Sequence, residues 1–167
     1  MIVPILQQDD PRLRQRANEI LLVNNIYRVG SQLRSSTACW EDWVPQLAID
    51  LQETLLAVGG IGLAAPQIGS SSRMILIALS PFDKIIMINP AIVYAEGKQR
   101  SQEGCLSVDR GKRYASIARA KRITVEYETL DMLHVKRKCT HLMAACVQHE
   151  IDHLDGKLFV DYLKDQK

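Results

Sequence analysis

Two histidines four positions apart, with a glutamate directly after the first, form the pattern in this sequence with the clearest chemical meaning. The run is His149-Glu150-Ile151-Asp152-His153. On a helix, residues four apart lie on one face with Cβ atoms about 5–6 Å apart, so both imidazoles can bind one metal ion. Glu150 then lies beside the metal, where it can take a proton from a water at the metal's open position.

The residues before this run indicate that the helix is buried. Residues 144–147 are Ala-Ala-Cys-Val, an apolar stretch. The five-residue pattern also occurs by chance, as two surface histidines and an exposed glutamate. Buried histidine and glutamate need partners, so the apolar stretch favours the metal site over the surface alternative.

A third metal ligand has to come from upstream of this helix. In one class of zinc endopeptidase a third histidine follows the motif, but that position here is Phe159, which cannot bind metal. In another class the third ligand is a glutamate on a following helix, and the sequence after His153 is too short to hold that helix. Cys105 is the best candidate, because Gly104 beside it permits unusual backbone angles. Three protein ligands and one open position are the pattern of a catalytic site.

A glycine- and alanine-rich stretch, Gly60–Gln67, is the second candidate for chemistry. Its small residues permit close approach of a substrate backbone, and Gln67 offers an amide N–H donor. The alternative is a tight turn leading into a strand. A phosphate-binding loop is excluded, because the stretch lacks the terminal Lys-Ser/Thr of that motif.

The remaining sequence predicts the elements that position these residues. Apolar residues recur at spacings of three and four over residues 41–58, which predicts a helix ended by Gly59-Gly60. Residues 23–40 lack periodicity and predict a loop. Strands are predicted at Met74–Leu79, Ile85–Asn89, Ile123–Glu128 and Leu133–Arg137, and a last helix from an N-cap at Thr140 to Leu154. This order favours an α+β class: a single domain over residues 1–167, with mostly antiparallel sheets packed around a central C-terminal helix that carries the histidine motif.

Composition and charge exclude several classes of protein. The 167 residues carry a net charge of +2, and the pI of 8.4 is below that of most nucleic-acid-binding domains. No apolar run approaches the roughly 18–20 residues of a membrane span. Because Met1–Pro4 lacks the features of a secretory signal, we expect a cytoplasmic protein with reduced cysteines and neither a membrane nor a specific nucleic acid as partner.

Three segments of the chain resemble the peptide deformylase family. They match, in order, the family's GxGxAAxQ, EGCLS and QHExDH motifs, and lie at Gly60–Gln67, Glu103–Ser107 and Gln148–His153. Weaker similarity extends the resemblance over most of residues 1–163. It implies a metal-dependent hydrolase that removes the N-formyl group from the N-terminal methionine of newly synthesised polypeptides and releases formate.

The resemblance also implies the metal centre. Cys105, His149 and His153 would bind one divalent ion, with Fe²⁺ as the native metal and Zn²⁺, Ni²⁺ or Co²⁺ as alternatives. Glu150 would take a proton from water and pass it to the leaving amine.

Further roles follow from the same motifs. The Gln67 side chain and the Leu106 backbone N–H would stabilise the oxyanion of the tetrahedral intermediate. Substrate-binding roles are implied for Ile61, Gly62, Cys146 and Arg113.

The chain also departs from the family pattern. Asp109 stands where the family commonly has proline, and residues 109–118 run slightly longer than a common form. Many members continue into a C-terminal helix that contacts the ribosome, whereas this sequence ends at Lys167. The substrates are expected to be N-formylmethionyl nascent polypeptides, and ribosome docking is not expected.

Three rival functions remain open at this point. A zinc endopeptidase would share the chemistry of Glu150 but lacks its usual third ligand. A metal-stabilised binding module for RNA would use basic runs such as Lys136-Arg137-Lys138, which have no aromatic residues for base stacking. A deformylase-like protein without activity would retain the ligands but carry an altered 109–118 segment. Replacement of Glu150 distinguishes an enzyme from a binding module.

Overall fold

The computed structural model of the protein describes residues 1–23, 38–80 and 82–163, and the backbone of residues 26–29, 32–35 and 164–166. The helices within these residues are α1 (Trp43–Val58) and α2 (His141–Leu154). The strands are β1 (Ile26–Val29), β2 (Gln32–Ser35), β3 (Gly62–Ala64), β4 (Met74–Ser80), β5 (Asp83–Glu96), β6 (Gln99–Gly104), β7 (Tyr114–Arg119), β8 (Arg122–Glu128) and β9 (His134–Thr140). Short 3₁₀ helices lie at Pro11–Arg14, Ala65–Ile68, Asp109–Gly111 and Phe159–Gln166.

The strands form one large sheet and two small ribbons. The sheet has the order β3-β4-β5-β8-β9, while β1 pairs with β2 and β6 pairs with β7. All six of these strand pairs are antiparallel. The predicted α+β class, with mostly antiparallel sheets and a C-terminal helix, is therefore confirmed.

The prediction of a loop over residues 23–40 is wrong where β1 and β2 form a ribbon. Tyr27 pairs with Arg34 and Arg28 with Leu33 in this ribbon. Each strand has only four residues, which is too short for alternating polarity to stand out from an irregular segment.

Strand β4 is buried on both faces and separates two parts of the core. Met74 and Leu76 pack in the cluster that contains the buried residues of α1. Ile75 and Ile77 pack in the cluster that contains the buried residues of α2. Because successive side chains of a strand point to opposite faces, this uninterrupted apolar run lets one strand hold both helices.

Helix α1 covers one face of the sheet, as its apolar spacing predicts. Its buried stripe is Val44, Leu47, Ala48, Leu51 and Leu55. The helix ends at Gly59, whose φ of 79° is unfavourable for other residues and whose N–H donates to the Leu55 carbonyl. Among the described residues, no helix is both long and apolar enough to cross a membrane.

Helix α2 lies against the other face, and its end is fixed by the N-terminal region. The Leu154 carbonyl accepts hydrogen bonds from the Ala17 N–H at 2.8 Å and from the Arg73 guanidinium at 3.3 Å. Arg73 also pairs with Asp155 at 2.8 Å. These contacts satisfy carbonyl groups that a helix C-terminus leaves free, so the register of α2 is well defined.

Substitution of Gly156 tests how the C-terminal end of α2 packs against the N-terminal region. Its φ is 72°, and a Cβ added there would lie 2.5 Å from the Arg14 carbonyl oxygen. We expect Gly156→Ala to lower the free energy of unfolding by about 2–4 kcal/mol, from left-handed strain plus overpacking, in urea denaturation. Gly69→Ala is the control, because its φ is 84° but the nearest atom is the flexible end of Arg12 at 3.4 Å. Equal losses for the two variants would contradict the role of the Arg14 contact.

Candidate metal centre and active site

Three metal-ligand side chains converge where β6 ends against α2. Cys105 directly follows β6, while His149 and His153 lie one turn apart on α2. Their ligand atoms all lie within 4.8 Å of one another, and the Cys105 Sγ is 3.2 Å from the His153 Nε2. The structure therefore brings together the three residues that the sequence singled out.

The donor set fits a transition-metal ion. The His149 Nδ1 is hydrogen-bonded to Glu103 at 2.9 Å, which leaves its Nε2 for a metal. A thiolate and two imidazoles are the ligands that iron and zinc accept. Three donors leave one coordination position for water or substrate, as in catalytic sites.

Phe159 stands at the sequence position of the third histidine in one class of zinc endopeptidase. Its ring is 1% exposed and stacks near His149, with 6.3 Å between ring centroids. Packing therefore fills the place where a third histidine of a zinc endopeptidase would stand.

A buried charge network holds His149. Its members are Glu103, Arg119 and Asp152, and the Arg119 side chain is only 4% exposed. Arg119 donates to both Glu103 carboxylate oxygens at 2.8 and 2.9 Å and to Asp152 at 2.6 Å. Tyr162 donates to the other Asp152 oxygen at 2.9 Å. The network thus joins β6, β7 and α2 behind the metal site.

The network also fixes the charge of the residue that orients His149. Burial by itself would raise the pKa of Glu103, but hydrogen bonds from Arg119 and His149 lower it to about 2. Glu103 is therefore an anion at neutral pH and accepts the His149 Nδ1–H. Such carboxylate–histidine contacts fix the orientation of the ring and raise its basicity as a ligand.

Glu150 lies beside the two histidines in an unusual environment. Its side chain is 4% exposed, and its Oε2 has no hydrogen-bond partner within the part of the chain that the structure describes. Burial raises the pKa of Glu150 to about 7, although the neighbouring His149 opposes this shift. A carboxylate in such a place is poised to exchange protons near neutral pH.

Gly62 makes room for this carboxylate. A Cβ added at Gly62 would lie 2.3 Å from the Glu150 Oε1 and 2.9 Å from the Cys146 Sγ. Because Gly62 belongs to β3, the edge strand of the sheet, its backbone lines the cleft directly over the glutamate.

Gln67 is held in the 3₁₀ helix that follows β3. Its Oε1 accepts the Ala64 N–H at 2.9 Å, and its Nε2 donates to the Ser107 hydroxyl at 3.1 Å. The same Nε2 lies 3.7 Å from the Cys105 Sγ. These bonds hold the amide NH₂ beside Cys105, one of the three candidate metal ligands.

A cavity of about 310 Å³ opens in front of these groups. Its walls include the predicted residues Ile61, Gly62, Gln67, Leu106 and Cys146, together with His149 and Glu150. Arg113 is exposed, and the cavity-lining residues within the described part of the chain do not include it. Its substrate role stays a prediction.

Sequence reasoning did not identify several residues of the site. Glu103 stood inside a quoted motif, but Arg119 and Asp152 are 33 residues apart and no local signal connects them. Tyr114 and Leu142 line the cavity as exposed apolar side chains. Leu142 follows the predicted N-cap at Thr140 and could have been found on the first turn of the helix, whereas Tyr114 lies on a strand that the sequence did not predict.

Comparison with known proteins gives consistent results. A family model described as "Polypeptide deformylase" matches residues 2–167. The peptide deformylase of Thermomicrobium roseum is 39% identical over 170 residues, covering 97% of this chain and 86% of its own. That of Xylella fastidiosa is 41% identical over 171 residues, covering 99% and 89%.

Solved structures agree in fold. The crystal structure of a peptide deformylase from Legionella pneumophila has a TM-score of 0.82 at 34% identity, covering 97% of this chain and 86% of that one. A peptide deformylase from Thermotoga maritima has a TM-score of 0.82 at 28% identity, covering 97% of each chain.

The buried charge network leads to a stability prediction. Arg119→Gln leaves Glu103 and Asp152 without their cation, at 6% and 13% side-chain exposure. We expect it to lower the free energy of unfolding by about 3–5 kcal/mol in urea denaturation, because an uncompensated buried charge is costly. The control is Arg122→Gln, whose ion pair with Glu96 is exposed and should contribute less than about 1 kcal/mol. Similar losses in both variants would contradict the assignment.

Proposed function

Because this chain belongs to the polypeptide deformylase family, whose members hydrolyse the N-formyl group of newly made polypeptides, we propose a specific role for each residue of the cleft. The reaction is hydrolysis of the formamide bond at the N-terminal methionine, which releases formate and a free amine. The observation that carries the proposal is the cluster of three metal donors, two of which line one cavity together with the buried Glu150.

Cys105, His149 and His153 hold the divalent metal in this proposal. When bound, the metal supplies Lewis acidity, which polarises the formyl carbonyl and makes water a better nucleophile. Glu103 keeps His149 in the orientation and tautomer that a ligand needs, because it accepts the Nδ1–H at 2.9 Å.

Glu150 acts as the general base and then as the general acid. Its carboxylate accepts a proton from the attacking water as the new C–O bond forms. It then gives this proton to the methionine nitrogen as the C–N bond breaks, which makes the amine a good leaving group. The pKa of Glu150, raised by burial to about 7, suits a group that must both take and release a proton.

Gln67 and Leu106 stabilise the negative charge that develops on the formyl oxygen. The Gln67 Nε2 points toward Cys105 and Ser107, and the Leu106 N–H belongs to the residue after the cysteine ligand. Two fixed donors cost no reorganisation in the transition state, which is the advantage of a preorganised oxyanion site.

The methionine side chain occupies the apolar part of the cavity. Ile61 and Leu142 are 41% and 57% exposed at its walls, while Cys146 is 6% exposed. Soft, apolar groups suit a thioether, and the Gly62 backbone can approach the substrate without a side chain between them. We place the activity in the cytoplasm, where nascent polypeptides are made.

Glu150→Gln tests the proposed base. The variant keeps the size of the side chain but cannot accept the proton, so we expect formate release from a formyl-methionyl peptide to fall by at least about 10²-fold. Metal content, measured by elemental analysis, should remain at one ion per chain.

Cys105→Ala is the contrasting variant, because it removes a donor instead of the base. It should lose metal and activity together. If Glu150→Gln retained more than a tenth of the parent activity with metal bound, Glu150 would not be the base.

We propose Fe²⁺ as the native metal. Iron with a thiolate ligand is sensitive to oxygen, at the metal and at the Cys105 sulfur. Protein purified anaerobically should therefore release formate faster than protein exposed to air, while nickel-loaded protein should withstand the exposure. Equal rates after aerobic and anaerobic purification, with iron bound in both, would count against iron.

A further inference from the structure

The N-terminal segment Ile5–Gln8 contacts both of the loops that carry the proposed oxyanion donors. The Leu6 N–H donates to the Gln67 carbonyl at 2.8 Å. The Gln7 side-chain NH₂ lies 3.3 Å from the Leu106 carbonyl oxygen and at the same distance from that of Ile5. The Gln7 Oε1 accepts the Arg110 N–H at 3.2 Å. One short segment therefore connects two parts of the cleft that are far apart in the chain.

The loop 105–111 needs such support because its own backbone is strained. Asp109, Arg110 and Gly111 have φ values of 47°, 53° and 75°, three consecutive left-handed residues. Each of the two non-glycine residues costs about 1–2 kcal/mol relative to a right-handed conformation. Asp109 and Arg110 are exposed, so core packing does not hold them in place.

Hydrogen bonds hold the peptide groups on both sides of Leu106. The Cys105 carbonyl, in the peptide group that contains the Leu106 N–H, accepts the Val108 N–H at 2.9 Å. The Leu106 carbonyl, in the next peptide group, accepts from Gln7. The direction of the Leu106 N–H therefore depends on one bond within the loop and on one from the N-terminal segment.

We propose that Gln7 is a positioning residue for catalysis, which ties Leu106 to Arg110 and so fixes the Leu106 N–H toward the reacting carbonyl. This inference rests on the proposed role of Leu106. A primary amide suits the task because it offers a donor for Leu106 and an acceptor for Arg110 at once. Gln7 itself does not touch the reacting atoms.

Gln7→Ala should lower kcat for formate release with little change in KM. Complete loss of an oxyanion donor costs about 10²–10³-fold, and a donor that is only loosened should cost about 3–10-fold. KM should stay within about twofold, because Gln7 does not line the cavity walls. The metal content should be unchanged, since the three ligands keep their contacts.

Gln7→Glu separates the two halves of the amide. Its carboxylate can still accept the Arg110 N–H but cannot donate to the Leu106 carbonyl. We expect kcat to fall in both variants, while faster trypsin cleavage after Arg110, Lys112 and Arg113 should appear only in Gln7→Ala. Gln46→Ala is the matched control, because the side chain of this exposed glutamine of α1 donates to Asp50 at 3.0 Å, not to the loop 105–111.

The outcomes distinguish this inference from the proposed function. An active parent with unchanged kcat in Gln7→Ala would overturn the positioning role and leave the deformylase activity intact. A fall in kcat matched by an equal loss of metal, or seen equally in Gln46→Ala, would also overturn it. A metal-loaded parent that releases no formate would overturn the proposed function, and this inference with it.

Discussion

The arrangement of the site depends on one buried guanidinium. Arg119 binds a carboxylate of β6 and a carboxylate of α2, so it joins the strand that directly precedes Cys105 to the helix that carries the other two proposed metal ligands. Taking such a group out of water is unfavourable unless every donor finds an acceptor. Here two carboxylates accept one hydrogen bond from each of its three nitrogens, while Tyr162 bonds one of them and lies under the guanidinium at 4.9 Å. Apolar packing alone would allow β6 to slide along α2, whereas directional ion pairs fix the relative positions of Cys105 and His149.

The rest of the fold places α2 so that this contact can form. The sheet gives α2 a flat apolar surface through Ile75 and Ile77, and α1 covers the opposite face. Backbone and guanidinium donors fix the C-terminal end of α2. His149, Glu150 and His153 therefore lie on a helix whose end is fixed, whereas Cys105 and Leu106 lie in the loop 105–111, which Gln7 of the N-terminal segment contacts.

The sequence predicted those parts whose signals are local. The spacing of His149 and His153 identified α2, and continuous apolar residues identified β4. Cys105 was the candidate third ligand, because the residues after the helix offer none and Gly104 lies beside it. Strands β6 and β7 were not predicted, because β6 has no apolar side chain and the buried positions of the pair include Glu103 and Arg119 of the charge network. The partners of Arg119 and Gln7 are also out of reach of local patterns, since each contact joins residues that only the folded chain brings together.

The close approach of Gly62 to Glu150 limits which residues of the cleft can be substituted during evolution. A side chain at position 62 would press on the Glu150 carboxylate and the Cys146 sulfur together, so a substitution there would disturb the proposed base along with the wall of the cleft. Ile61 and Leu142 line the same cavity with exposed side chains, so substitutions at these positions can change its shape with less effect on Glu150. A mutation at position 62 that blocked an inhibitor from the cleft would disturb Glu150 in the same way. The backbone at residue 62 is thus a fixed surface against which a ligand can be designed.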